Sequence, residues 1–226
     1  MQQKLQQITV AIIGSNGKMG KLVDAIIQKQ ANAKIVARIT EKDDLNSILQ
    51  LTQPDVAIEF TSNLSVFTNA ATIIKHNVRP IIGSSGLNIA QINQLQDMCQ
   101  SKSLGGLVIP NFSLGMALLS NFSRTLKEYY NNFSLIEYHH QHKNDKPSGT
   151  AKYLANILNC NEAEIGSIRS SGFKAKQQIY VSAAGERIIL DHEVFDNSCY
   201  EAGILLALNK VVGLNQLIIG LENILI

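Results

Sequence analysis

Cysteine is scarce in this sequence, and neither sign of charge predominates. The chain has three cysteines at wide spacing, an odd number that argues against a disulfide framework and against a cysteine-based zinc site. The formal net charge is only +2 and no run of lysine and arginine occurs, so nothing favours binding to nucleic acid or to a membrane surface. We therefore expect a protein of the reducing cytoplasm.

Long apolar runs are also missing. No stretch approaches the roughly 20 residues that a membrane-spanning helix needs. Residues 1–7 are polar, unlike the apolar segment of a signal peptide. With 226 residues, of which 45% are hydrophobic and 17% charged, the chain has the composition of a soluble globular protein and suffices for one large domain or two modest ones.

The first half of the chain alternates between short apolar strands and amphipathic helices. This alternation predicts a doubly wound parallel sheet of the Rossmann type, with helices on both faces. The short connection between the second and third strands predicts a compact version of that fold, and Asn63 is a suitable N-cap for the helix after the third strand. The predicted strands cover 8–14, 34–39, 55–60, 79–86 and 106–113, and the predicted helices cover 18–30, 63–77 and 88–101.

The pattern changes after about residue 112. The second half predicts a smaller α+β domain with an open, mixed and largely antiparallel sheet, followed by an apolar helix that could return to the first domain. We expect residues 1–112 and 197–226 to form a dinucleotide-binding domain and residues 113–196 a substrate-binding domain. The predicted elements are a helix over 113–130, a strand over 133–140, a helix over 149–158, two strands within 177–195 joined at Ala184-Gly185, and a helix over 199–213.

Three glycines lie between the first strand and the first helix. Gly14, Gly17 and Gly20 allow a tight turn, a close approach of the backbone to a pyrophosphate, and close packing of helix on strand. A phosphate would then rest at the helix N-terminus. The GxxGxxG spacing differs from GxGxxG and is also compatible with a turn that binds no nucleotide, but its place in the first βα turn favours a dinucleotide site.

Charged residues of both signs follow the second strand, where a dinucleotide-binding fold selects the ribose. Glu41 or Asp43 could accept hydrogen bonds from ribose hydroxyls, whereas Arg38 and Lys42 could bind a 2′-phosphate. The sequence therefore leaves NADH and NADPH both open, and an ordinary solvated charge run is equally compatible. Two further turns, residues 59–63 and 83–86, follow the third and fourth strands. They would lie near the nicotinamide, or they serve only as turns.

The stretch EYHHQHKNDKPSGTA, residues 137–151, concentrates titratable side chains. Its three histidines, His139, His140 and His142, suggest a metal site, but successive residues on a strand point to opposite faces, and no cysteine is near. An anion site accounts for more of the residues, because Lys143 adds a fixed positive charge. A hydrophilic loop with incidental histidines is a third interpretation.

The end of this stretch is typical of a helix N-terminus that binds an anion. Pro147 marks the helix start, and Ser148 is a suitable N-cap. The backbone N–H groups of Ser148, Gly149 and Thr150 would be exposed there and, with the Thr150 hydroxyl, would hold a carboxylate or a phosphate. Such a terminus beside two cationic or titratable groups could hold a small dianion and leave one histidine for acid–base chemistry.

The same stretch resembles the signature of the dihydrodipicolinate reductase family. The matching residues are Glu137, His139, His140, Lys143, Asp145, Pro147, Ser148, Gly149, Thr150 and Ala151. Four weaker motifs of that family occur in the right order: GSNGKMG, EFTSN, GSSG and PNFSLGM. The resemblance covers nearly the whole chain and indicates a short member of the family.

The resemblance implies reduction of a cyclic dicarboxylate, 4-hydroxy-tetrahydrodipicolinate, with NADH or NADPH in the diaminopimelate route to lysine. It also implies a homotetramer built through the central sheets, and the site as interpreted needs no metal. The implied catalytic pair is His139 and Lys143. The implied substrate contacts are His140, Lys143, Ser148, Gly149 and Thr150. The cofactor contacts expected from the loops and the resemblance together are Gly14, Gly17, Lys18, Met19, Gly20, Arg38, Glu41, Phe60, Gly83, Ser85, Pro110 and Phe112.

The sequence departs from the family pattern outside the catalytic stretch. Ala175 and Gln177 stand where the family commonly has a glycine and a histidine, and Asn197 stands where it usually has an arginine. These changes bear on the fine substrate fit or on subunit contacts. Two other functions stay open. A different Rossmann oxidoreductase, such as an amino-acid or homoserine-type dehydrogenase, gives no reason for the histidine–lysine stretch. A non-catalytic nucleotide sensor would not need His139 together with Lys143.

Overall fold

The computed structural model describes residues 7–225, so the expectation that no signal peptide is present falls almost entirely on residues outside that range. Contacts divide the chain into two compact units, one ending at Phe112 and resuming at Glu201, the other spanning Ser113–Tyr200. The expected boundary after residue 196 lies slightly before the observed one, because the short turn Asn197–Tyr200 contacts the long helix of the second unit.

The regular elements follow one another in chain order as strands β1–β10 and helices α1–α7. They are β1 (Ile8–Ile13), α1 (Lys18–Ile27), β2 (Ala33–Ile39), α2 (Leu45–Thr52), β3 (Val56–Glu59), α3 (Val66–Lys75), β4 (Arg79–Ile82), α4 (Ile89–Ser101), β5 (Gly106–Val108), α5 (Leu114–Lys127), β6 (Phe133–His139), α6 (Gly149–Leu158), β7 (Gly166–Arg169), β8 (Ala175–Ala183), β9 (Glu186–Val194), α7 (Glu201–Val211) and β10 (Leu217–Ile219).

The first unit is built on a six-stranded sheet in the order β10-β5-β4-β3-β1-β2, with all neighbouring strands parallel. Helices α2, α3 and α4 pack on one face through two apolar clusters. Val10 and Ile12 point to the other face and are also fully buried. Helices therefore cover both faces, which confirms the predicted Rossmann-type class. The carboxyl ends of the strands lie together at one edge, where such sheets bind ligands.

The second unit contains a four-stranded sheet in the order β7-β6-β8-β9. The β6–β7 pair is parallel and the other pairs are antiparallel, as the expected open, mixed sheet requires. Helices α5 and α6 pack on one face, where Leu135, Ile179 and Val181 form the core. The opposite face carries the exposed side chains of Ile168 and Ile189.

The structure adds three elements that the sequence patterns do not predict: α2, β7 and β10. The Asp44 side chain caps α2 by accepting hydrogen bonds from the N–H groups of Asn46 and Ser47. The expectation that Asn63 caps α3 is wrong, because the N–H of Val66 already bonds to the carbonyl of Ser62 and the helix begins after that turn. No helix within residues 7–225 is long and apolar enough to cross a membrane.

Candidate active site

The loop between β6 and α6 carries the predicted catalytic residues. His139 is the last residue of β6 and is 7% exposed, whereas His140 is exposed. The N–H of Lys143 donates to the carbonyl of His140 over 3.1 Å, which makes a tight turn. The predicted N-cap is confirmed, since the Ser148 hydroxyl oxygen accepts from the N–H of Ala151 over 3.2 Å.

A fully buried carboxylate, Glu137, lies behind this loop. Its Oε1 accepts from the Arg169 guanidinium over 2.7 Å, from the Ser167 hydroxyl over 2.8 Å and from the Ser148 N–H over 3.1 Å. Alternation along β6 explains the burial, because Glu137 and His139 share the inward face of the strand. The bond from Ser148 corrects one expectation: its backbone N–H is occupied and is not available to a ligand.

Electrostatics around Glu137 favour a charged carboxylate beside a neutral imidazole. Burial alone would raise the pKa of Glu137, but hydrogen bonds from Ser148, Arg169 and Ser167 outweigh it and hold this pKa below its ordinary value. Burial is also the main cause that lowers the pKa of His139. The attraction of Glu137 opposes that shift. His139 is therefore mostly neutral at pH 7.

The imidazole of His139 lies against the carboxylate without a well-formed hydrogen bond. Its Nδ1 is 3.1 Å from Glu137 Oε2. Their relative direction is unfavourable, and both atoms lack a hydrogen-bond partner within residues 7–225. The contact is therefore a close electrostatic approach, and Nδ1 of His139 makes no hydrogen bond to the described residues.

Lys143 lies at the tip of the loop, and its side chain is 25% exposed. The Lys143 Nζ is 2.7 Å from Asp145 Oδ1, and this pairing lowers the pKa of Asp145. An incoming anion would therefore meet an ammonium group that is already held in place but is still accessible to solvent.

The other predicted substrate residues surround the start of α6. Gly149 is exposed, and a Cβ at its position would meet nothing within 4 Å, so the first residue of α6 borders open space. Thr150 is half-buried. The histidines do not cluster around a common point: the rings of His140 and His142 are 6.5 Å apart. Among the described residues no group of three His, Cys, Asp or Glu side chains is placed to hold a metal ion.

Two departures from the family pattern lie beside this site. Gln177 pairs directly with Glu137 across β6 and β8, and Ala175 pairs with His139. Directly opposed residues in an antiparallel pair share a face, so the buried Gln177 borders the carboxylate. The third departure, Asn197, accepts a hydrogen bond from Lys174.

Two glycines of the predicted phosphate loop in the first unit stand where no side chain fits. Gly14 has φ +79°, and a Cβ there would lie 2.1 Å from the carbonyl oxygen of Phe60. A Cβ at Gly20 would lie 2.3 Å from the carbonyl oxygen of Gly14, so neither position accepts a side chain. Gly17 is the N-cap of α1 and provides no side-chain cap, so Lys18 and Met19 begin the helix with N–H groups that a phosphate could meet.

A cavity of about 520 Å³ lies beside this loop, at the carboxyl edge of the sheet. Its lining includes Gly14, Gly17 and Phe60, and also the acidic residues Glu41 and Asp43. Its size is within the range of small-molecule and cofactor sites.

Arg38 is held outside the lining of that cavity. Its guanidinium binds the Asp24 carboxylate through Nη2 at 2.7 Å and Nε at 3.2 Å, and it thereby lowers the pKa of Asp24. A cofactor contact by Arg38 stays a prediction, and this ion pair competes with it.

The remaining predicted cofactor residues lie where β3, β4 and β5 end. The rings of Phe60 and Phe112 are 5.5 Å apart. A Cβ at Gly83 would lie 2.2 Å from the Phe60 ring, so this ring can pack here only because residue 83 is a glycine. Ser85 and Pro110 are exposed in the loops beyond.

Several functional candidates carried no role in the sequence analysis. Glu137 belongs to the quoted signature, but only its burial shows that it organises the loop. Arg169 is separated from Glu137 by 32 positions, and Asp24 from Arg38 by 14, so no local pattern links either pair.

Comparisons with known proteins agree with this description. The fold and the glycine loop define an NAD(P)-dependent oxidoreductase of the Rossmann type. An engineered D-amino acid dehydrogenase bound to NADP+ matches at a TM-score of 0.67 over 96% of this chain and 94% of its own, at 10% identity, which shows the fold alone. A dipicolinate-bound dihydrodipicolinate reductase from Paenisporosarcina sp. TG-14 matches at a TM-score of 0.90 and 26% identity, over 97% of this chain and 100% of its own.

The family assignment rests on the whole chain. The family described as dihydrodipicolinate reductase, N-terminus, matches residues 8–112, and the one described as dihydrodipicolinate reductase, C-terminus, matches residues 112–225. The 4-hydroxy-tetrahydrodipicolinate reductase of Coxiella burnetii (strain RSA 493 / Nine Mile phase I) is 37% identical over 96% of this chain and 99% of its own. That of Legionella pneumophila (strain Paris) is 34% identical, over 96% and 98%. The chain belongs to the dihydrodipicolinate reductase family.

Proposed function

We propose that this protein reduces 4-hydroxy-tetrahydrodipicolinate to tetrahydrodipicolinate with NADH or NADPH, in the diaminopimelate route to lysine. The observation that carries the proposal is the loop that presents His139, His140 and Lys143 beside the exposed start of α6. A cationic loop beside a helix N-terminus suits a small dicarboxylate. The full-length match to named reductases supports the same reaction.

The reaction takes one hydride and one proton into the substrate and releases water. The reduced nicotinamide, when bound, supplies the hydride. We assign the proton to the Lys143 ammonium, because burial keeps His139 mostly neutral at pH 7. His139 then serves as a hydrogen-bonding group that orients the substrate ring, with the Glu137 carboxylate 3.1 Å behind its Nδ1.

Substrate carboxylates are held at the N-terminus of α6. The N–H of Ser148 is occupied by Glu137, so the N–H groups of Gly149 and Thr150 carry the backbone contribution. Lys143 and His140 add side-chain contacts from the loop. Ser148 contributes by fixing the helix start, since its hydroxyl caps α6.

The first unit binds the dinucleotide and the second binds the substrate. Within the first unit, the pyrophosphate rests on the Gly14–Gly20 turn, and the adenosine ribose lies toward Glu41 and Asp43. Because Asp24 engages Arg38, the ribose end of the cavity is acidic. A 2′-phosphate is disfavoured there, so we expect both cofactors to be used with NADH preferred.

The assembly we propose is a cytoplasmic homotetramer built through the sheet of the second unit. The face of that sheet opposite α5 and α6 carries Ile168 and Ile189, which are 41% and 47% exposed. Apolar side chains on an open sheet face favour burial against another subunit.

Oxidation of NADH and NADPH, followed at 340 nm with enzymatically generated substrate, tests the function. We expect substrate-dependent turnover that Lys143→Ala abolishes or greatly reduces. Lys152→Ala, which removes an exposed lysine paired with Glu162 on the same unit, is the matched control and should keep wild-type activity. If the wild-type protein oxidises neither NADH nor NADPH in the presence of substrate, the proposal is refuted.

A further inference from the structure

One arginine connects the buried Glu137 carboxylate to the loop between β6 and α6, which we call the catalytic loop (residues 140–148). Arg169 ends the edge strand β7, directly beside His139 in the register of β6 and β7. Its side chain is only 6% exposed. The guanidinium Nη2 donates to Glu137 Oε1 over 2.7 Å and to the carbonyl of Asp145 over 2.5 Å. The Nε donates to the carbonyl of Lys143 over 3.3 Å.

These contacts fix the loop at its tip, Lys143, and two residues further on, at Asp145. The carbonyls of Lys143 and Asp145 are bound to the same planar group, and the Lys143 ammonium also pairs with the Asp145 carboxylate. Movement of Lys143 toward a ligand is therefore confined to its side-chain torsions. The Glu137 charge compensates the guanidinium, so the buried position does not leave an isolated charge.

Only an arginine suits this arrangement. Its rigid fork offers five donors in fixed directions, whereas a lysine ammonium is a compact charge at the end of a flexible chain. Beyond its own strand, Arg169 donates to three acceptors: the Glu137 carboxylate on β6 and the carbonyls of Lys143 and Asp145 in the loop. A lysine there keeps the charge next to Glu137 but cannot reach all of them at once.

We propose that Arg169 is a positioning residue for Lys143: it sets the place of the ammonium that acts on the substrate and does not itself touch the substrate. This inference rests on the proposed reductase function. Arg169 lies on an edge strand, outside residues 137–151, and would affect the reaction only through Lys143. Such an effect is expected to be large, because a displacement of about 1 Å in a reacting group can lower a rate about a hundredfold.

Arg169→Lys tests the proposal, with Arg187→Lys as the matched control because Arg187 is an exposed arginine on the same sheet. We expect Arg169→Lys to lower kcat at least about tenfold, with the KM for NADH unchanged, and Arg187→Lys to leave both unchanged. The rate of hydrogen exchange in a peptide covering residues 140–148 should be higher in Arg169→Lys than in wild type, and unchanged in Arg187→Lys. A purely structural role would lower the Tm of Arg169→Lys but leave kcat and the exchange of this peptide at wild-type values, and that result would overturn the proposal.

Turnover of the wild-type protein distinguishes failure of the proposed function from failure of the positioning role. If wild-type protein shows no turnover, the proposed function fails, and the inference about catalysis fails with it. If wild-type protein turns over and Arg169→Lys matches it, only the positioning role fails. Should Arg169→Lys not fold, the double variant Arg169→Met/Glu137→Gln removes both buried charges together. The same loss of kcat and the same rise in exchange are expected, and their absence refutes the role.

Discussion

Replacing Glu137 by glutamine tests whether a buried charge organises the catalytic loop. Glutamine keeps the volume of the side chain, and its oxygen can accept from the donors that now reach Oε1. The substitution therefore removes little packing and chiefly removes the negative charge. The Arg169 guanidinium, 6% exposed, would then remain buried without its counter-charge.

The expected cost follows from that uncompensated charge. Removing one partner of a buried ion pair costs about 3–5 kcal/mol. Arg169 would keep its bonds to the carbonyls of Ile168, Lys143 and Asp145, which partly offset the loss. We therefore expect Glu137→Gln to lower the free energy of opening of the second unit by about 2–3 kcal/mol at pH 7.

The difference between wild type and variant should depend on pH. The pKa of Glu137 in the folded protein lies below its ordinary value of 4.5. A depressed carboxyl pKa gives stability that is fully present above the unfolded-state pKa and is lost as the pH falls through the folded-state pKa. The contribution of the Glu137 charge to the gap between wild type and Glu137→Gln should therefore be fully present above the ordinary pKa of 4.5 and be lost as the pH falls through the lower pKa of the folded state.

Native-state hydrogen exchange of β6 amides measures this directly, because it reports opening of the second unit even where the two units do not unfold together. Glu186→Gln is the matched control: Glu186 is exposed, and it accepts one hydrogen bond from the Tyr130 hydroxyl at 2.8 Å. We expect a change below about 0.5 kcal/mol there. An effect of Glu137→Gln no larger than that of the control would refute the reasoning.

Three further outcomes are expected. Lys143→Ala should cost at least about 2–3 kcal/mol of transition-state stabilisation in kcat/KM, with NADH binding unchanged by calorimetry; near-wild-type kcat would exclude Lys143 from the reaction. Gly83→Ala would place a Cβ 2.2 Å from the Phe60 ring, so NADH affinity should fall at least about tenfold, and unchanged affinity would mean that this ring pair does not border the cofactor. Asp24→Asn frees Arg38 and should move the ratio of kcat/KM values toward NADPH, whereas no shift would show that Arg38 cannot reach the ribose.

A metal requirement is tested separately. The histidines are assigned to contact with the substrate and to its orientation, so prolonged treatment with a chelator should leave turnover unchanged. A stoichiometric zinc ion whose removal abolishes activity would instead support a metal role for His139, His140 and His142.

The local patterns of the sequence determined most of the fold. Period-two and helical repeats predicted the alternation of the first unit and the mixed sheet of the second, because each element buries one face whatever its partners are. Ser148 could be identified as the cap of α6 from the sequence, because a serine just before a helix can accept a hydrogen bond from the free N–H group three residues later. The short edge strands β7 and β10 carry three or four residues each, too few to show a period, and only their pairing with longer neighbours defines them.

The residues that organise the site were decided by tertiary structure. The signature stretch contains Glu137, His139 and Lys143, but nothing near it in the chain shows that Arg169 holds the carboxylate and the loop together. In the same way the sequence presented Arg38 as a phosphate-binding group, and folding placed α1 so that Asp24 engages it. Both ion pairs join segments far apart in the chain. Their strength depends on burial and direction, which are properties of the packed protein and not of any local run of residues.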